Sequence, residues 1–183
     1  TAAELYTALS NNENVILSSD IDMTNVDWTI VNGYSKKFDG NGHVISNLTM
    51  TTNAPYAGLF GSINSGATIS NLGMENVTIT VNGHEGHVGV IVGVSGGGIY
   101  NCYVANSSIY ACTDDDHFGY AVGGLVGTSN YSAEIQYCNA YNMQIVANGM
   151  EVISGGIVGF GGVDISDSNV YGGILITGKY TSN

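Results

Sequence analysis

The chain has 183 residues, 15 acidic against 3 basic, no arginine, and a formal charge of −12. That balance excludes nucleic-acid binding, which needs Lys and Arg to displace counterions from phosphates, and it disfavours anionic membrane surfaces. With 44% hydrophobic residues, 27 glycines and 1 proline the chain can bury a core, yet no apolar run reaches the ~18 residues that read as a bilayer span.

In chain order, Thr1-Ala-Ala-Glu4 has the spacing of a capping box, and Leu5, Tyr6, Ala8 and Leu9 follow on one helical face. Residues 1–13 therefore read as a short helical cap. Such a cap matters because an open sheet edge pairs with other molecules. Val15-Ile16-Leu17, Ile21 and Met23 begin a sheet, and 14–56 read as its first coil. From 57 to 183 the chain repeats itself. A Gly-Leu-Phe-Gly burst at 58–61 returns at 89–93, 123–127 and 155–159, and the closing Gly61, Gly93, Gly127 and Gly159 lie 32, 34 and 32 residues apart. Each burst is followed by an isoleucine (Ile69, Ile99, Ile135, Ile165), with Ile45 as an earlier copy, and then by Ile79, Ile109, Ile145 and Leu175.

A period near 33 marks stacked repeats. Within a copy the apolar positions alternate, as strands do. The expected fold is all-β: a right-handed parallel β-helix of about five coils with three strands per coil, its hand set by the rule for parallel crossovers. The competing antiparallel sandwich has no reason to repeat so literally. Asn47, Asn71 and Asn101 fall where the chain turns; asparagine tolerates left-handed geometry, and its amide can bond to its copies above and below. Tyr137 and Asp167 interrupt that ladder. The polar stretches 80–88 and 110–120 read as loops at one corner, where solenoids place binding.

Candidate chemistry lies mostly in those loops. His84, His87, His117 and Asp116 would meet, if the coils stack, as nitrogen and oxygen ligands for a divalent transition metal. Asp114, Asp115 and Asp116 could instead take calcium, although calcium wants six or more oxygens; the competing reading is a solvated polar corner. Cys102 and Cys138 share a column with Leu48 and Leu72. They read as small buried apolar groups, with a disulfide as the alternative that parallel Cβ vectors fit poorly. Tyr110, Tyr120 and Tyr131 are the loop tyrosines suited to a sugar- or protein-binding face. Asn47, Asn76, Asn106 and Asn130 head Asn-x-Ser/Thr sequons, so glycosylation competes with turn chemistry there. A β-helical lyase calls for a base beside a cation, and an inverting glycosidase for paired carboxyls around a cleft. Neither set is present, so no catalytic activity is expected.

The bursts, each followed by Ile-x-Asn-Leu or its variants and preceded by FDGNGHVISNLTM (38–50) and DIDM with Trp28, resemble the GLUG-repeat proteins from roughly residue 14 to 175. The resemblance implies a β-helical prokaryotic module that is secreted or surface-exposed. Such modules occur in large adhesin-like proteins and ahead of the catalytic domain of immunoglobulin A-cleaving metallopeptidases. It brings no catalytic residues. The chain, which lacks an initiator methionine and a secretory signal, reads as processed or excised. The expected role is a non-catalytic extracellular module, structural or adhesive, partnered by a protein or glycan on a surface or by copies of itself. The alternatives are a filament or sheath subunit stacking head to tail, and an accessory substrate-binding domain of a large secreted metallopeptidase. No cofactor is expected beyond the metal considered above.

Overall fold

A computed structural model describes residues 1–83, 85–112, 119–149 and 151–177, the last five of them as backbone. The chain winds into a parallel β-solenoid of about 4 turns. Equivalent residues pair in register from one turn to the next: Phe38, Ile69, Ile99, Ile135 and Ile165 form one column, and Met50, Ile79, Ile109 and Ile145 another. Parallel pairing of like residues is what a literal sequence repeat demands. It places each apolar side chain directly on its copy, and all but the terminal members of these columns are sealed from solvent.

The turn from Tyr56 to Val81 carries five short strands, Tyr56–Ala57, Phe60–Ile63, Thr68–Ser70, Gly73–Glu75 and Thr78–Val81, rather than the three expected. One extra strand comes from the glycine burst, and the other from the corner at Asn71, which divides the Ile-x-Asn segment into Thr68–Ser70 and Gly73–Glu75 in different sheets. Each burst is a sharp bend joining two strands that belong to different sheets, for example Gly86–Gly89 and Val92–Ser95. A Cβ on Gly127 would sit 2.4 Å from the Val88 nitrogen, and one on Gly93 would sit 2.8 Å from the His87 carbonyl oxygen. The two sheets thus meet backbone to backbone, far inside the ~10 Å spacing of sheets separated by side chains. Any residue but glycine would wedge them apart.

Two columns of left-handed residues make the remaining corners. One holds Asn71, Asn101, Tyr137 and Asp167, with φ of 53, 51, 56 and 50°. The other holds Asn47, Asn76, Asn106 and Asn142, with φ of 59, 54, 52 and 48°, and ends in Gly172. Asn47 was expected beside Asn71 and in fact belongs to the second corner. For the same reason Ile45 stacks on Met74, with Phe38 beneath Ile69. Leu48 lies above neither cysteine: its carbonyl accepts from Thr78, as that of Leu72 accepts from Tyr103. An irregularity at Tyr141/Met143 brings Ile176, not Leu175, opposite Ile145.

The helix spans Ala2–Ser10, with Thr1 and Glu4 completing the capping box. Leu5 and Leu9 are buried, and Tyr6 packs edge-on to Trp28, whose indole Nε1 donates to the Leu59 carbonyl at 3.0 Å. In the last described turn Ile153, Phe160, Ile165 and Val170 are 45, 55, 45 and 45% exposed.

Candidate functional site

Three places were singled out by sequence: the histidine loops, the cysteine pair and the tyrosines. Of the metal set, His84, Asp116 and His117 lie outside the described residues, as do Asp114 and Asp115. His87 sits on the strand Gly86–Gly89 rather than in a loop. Its Nδ1 is 2.7 Å from Thr128 Oγ1 and its ring lies 5.6 Å from that of Tyr56. Burial holds this imidazole below its ordinary pKa, with the Glu85 charge partly opposing, so the neutral ring is the stable form. Among the described residues no three metal-ligating side chains come together.

The cysteines stack in adjacent turns, and both thiols are free. Cys102 Sγ lies 3.2 Å from the Tyr100 carbonyl oxygen and 3.8 Å from that of Ile69, and Cys138 Sγ lies 3.3 Å from the Gln136 carbonyl oxygen and 3.5 Å from that of Ile99, one turn below. Burial pushes the Cys102 thiol well up, which keeps it protonated and unreactive.

Two of the three loop tyrosines are not loop residues. Tyr120 is 2% exposed; its hydroxyl donates to the Gly83 carbonyl and, at 3.3 Å, to that of Cys112. Burial raises its pKa to about 12. It ties Gly83 to Cys112 from a buried position. Tyr110 lies half-buried in the strand Ser108–Cys112, donating to Gln144 Oε1 at 3.0 Å. Tyr131 stands 94% exposed in a turn, beside exposed Asn130. Among the other sequons, Asn47 donates to Asp22 Oδ1 at 2.9 Å, Asn106 accepts from Asn142 at 3.0 Å, and Asn76 is exposed.

Sequence reasoning missed a different group. On the face between the two asparagine corners, Asn101, Cys102, Tyr103, Tyr137, Asn139 and Tyr141 line a shallow groove of about 230 Å³. Tyr103 and Tyr141 stand nearly perpendicular, 77° apart with ring centroids at 6.2 Å, and Tyr171 stacks on Tyr141 at 5.1 Å and 11°. The Tyr103 hydroxyl donates to Glu75 Oε1 at 2.6 Å. Burial and that carboxylate together raise its pKa to about 12. Gly73 sits beneath: a Cβ there would strike the Tyr103 ring at 2.6 Å. The side-chain amide oxygen of Asn139, a residue that lines the groove, is buried with no hydrogen-bond partner among the described residues. One signal in the sequence pointed here. Tyr137 breaks the asparagine corner, and a bulky residue with φ of 56° is strained in a way that asparagine is not.

No family model matches the chain. Over 98 residues it is 37% identical to halomucin of Haloquadratum walsbyi, a match that covers 53% of this chain and 1% of halomucin's length. Its fold is similar to that of a Bacteroides ovatus protein provisionally assigned as an immunoglobulin A1 protease, with a TM-score of 0.57 and 21% identity over 98% of this chain and 70% of that one.

Proposed function

We propose that the chain is a non-catalytic extracellular or cell-surface module, a β-solenoid that extends from a surface and adheres there. The observation that carries this reading is the 37% identity to halomucin, whose name marks it as mucin-like. A polar outer face rich in Asn, Ser, Thr and Tyr suits the same setting. The GLUG-repeat resemblance, which rests on the four in-register bursts, agrees with it. Antibodies raised against the purified chain should label intact, unpermeabilised cells or the culture medium. Labelling that requires lysis would overturn the reading.

The likeness in fold to the Bacteroides ovatus protein favours one second reading, an accessory domain beside a protease. A His-Glu-x-x-His elsewhere in the same reading frame would support it, and its absence from that frame would remove it. Head-to-tail stacking into a filament or sheath is less well supported, because the helix Ala2–Ser10 already covers the first turn through Leu5 and Leu9.

A further inference from the structure

We infer that the groove walled by Tyr103, Tyr137 and Tyr141 binds a neutral sugar ring, which deepens the surface-adhesion reading by naming its ligand class. Three independent observations meet there. The first is shape. The Tyr137 ring, 57% exposed, offers a surface on which the C–H face of a pyranose can stack, and the T-shaped pair of Tyr103 and Tyr141, 77° apart, bounds the groove beside it. The volume of about 230 Å³ is below the ~300 Å³ at which cofactor-sized sites begin, so it suits a single ring at the end of, or within, a longer chain.

The second is unspent hydrogen bonding. Asn101 donates its amide down to Asn71 at 2.8 Å, as Asn71 does to Asp39 at 2.9 Å. At Tyr137 the next amide is missing, so the ladder ends with the Asn101 carbonyl oxygen at the groove. The side-chain oxygen of Asn139, a residue that lines the groove, likewise lacks a partner among the described residues. The third is conformational. Tyr137 is 57% exposed and held at φ 56° where other turns place Asn or Asp. A residue kept at a strained corner while presenting its ring to solvent is better explained by a contact than by the fold.

Charge decides which sugar. Glu75 accepts from the Tyr103 hydroxyl, and the chain contains no arginine and 3 lysines, Lys36, Lys37 and Lys179. Among the described residues nothing at the groove would neutralise a uronate, sialate or sulfate, so the ligand is taken to be uncharged.

The test uses the purified chain, and so fails or succeeds independently of where the protein resides in the cell. Lactose, maltose, mannobiose and chitobiose are titrated by saturation-transfer NMR and calorimetry, with digalacturonate as the acidic control. At least one neutral disaccharide should bind and digalacturonate should not. Affinity should fall by about tenfold or more in Tyr141→Ala, the loss expected for one aromatic contact. Tyr137→Asn should lose affinity similarly while melting at or above the wild-type temperature, because it restores the corner residue. The inference is overturned if no neutral disaccharide binds, if binding is unchanged in both variants, or if digalacturonate is preferred.

Discussion

At the residue scale, the asparagine corners show how one side chain does two jobs. Asn71 adopts φ 53° and joins Asp39 to Asn101 through bonds of 2.9 and 2.8 Å. Replacing it separates the two contributions. Asn71→Gly keeps the left-handed backbone and loses the bonds, costing about 1–2 kcal/mol. Asn71→Ala adds the Cβ penalty of roughly 1–2 kcal/mol and should be the less stable of the two by urea denaturation. Sequence alone identified these asparagines as corner residues but merged two corners into one, because Ile-Ser-Asn-Leu is spelled identically at 45–48 and 69–72. Only strand register distinguishes the copies. His87 gives a second prediction. Burial depresses its folded pKa, so below the ordinary imidazole value of ~6.5 the unfolded chain takes up a proton that the folded chain resists. Stability therefore falls as pH drops through that value and levels off below the folded pKa. His87→Phe keeps the packing against Tyr56 and removes the titration. Between pH 7.5 and 5.5 (about one unit either side of the imidazole value) its melting temperature should fall less than that of the wild type.

At the scale of elements, the glycine bursts are the most constrained part of the chain. A methyl on Gly127 meets backbone at 2.4 and 2.7 Å with no flexible atom to yield, whereas Gly42 and Gly66 have open space and only their positive φ to respect. Gly127→Ala should cost about 3 kcal/mol or more, the upper end for overpacking. Gly66→Ala should cost only about 1 kcal/mol, the left-handed penalty. Equal losses in thermal melts would mean the bursts are ordinary turns. The bursts were plain in the sequence, and so was the parallel stacking they imply. That each one joins two sheets was not, since backbone-to-backbone contact leaves no side-chain pattern to read. The sugar groove was hidden for a related reason. Tyr103 and Tyr141 come from different turns and offset register positions, opposite Asn139 and Ala105 respectively, so nothing in linear spacing pairs them. The loop tyrosines, chosen for the polarity of their surroundings, included Tyr120, which the fold uses as an internal strut.

At the scale of the whole molecule, 15 acidic residues face 3 basic ones. Among the described residues the Thr1 ammonium pairs with Glu4, and His43 Nδ1 lies 3.0 Å from Asp20 Oδ1. Glu134 and Asp164 stand opposite one another in adjacent turns, ~4.8 Å apart along the axis, and the chain as a whole carries a net charge of −12. Raising ionic strength from about 0.01 to about 1 M shortens the screening length from ~30 to ~3 Å, so the melting temperature should climb across that range; a flat or falling profile would show that the acidic side chains are compensated. The same screening bears on the last described turn. Ile153, Phe160, Ile165 and Val170 are partly exposed there, while the first turn lies under its helix. Contact between copies through these apolar side chains is expected to strengthen with salt as charge repulsion fades. Sedimentation velocity at low and high salt tests this. Open-ended polymers would require the helix to lift off the first turn, and Leu9→Ala, which removes a side chain 1% exposed beneath that helix at a cost of about 2–5 kcal/mol, should then promote them.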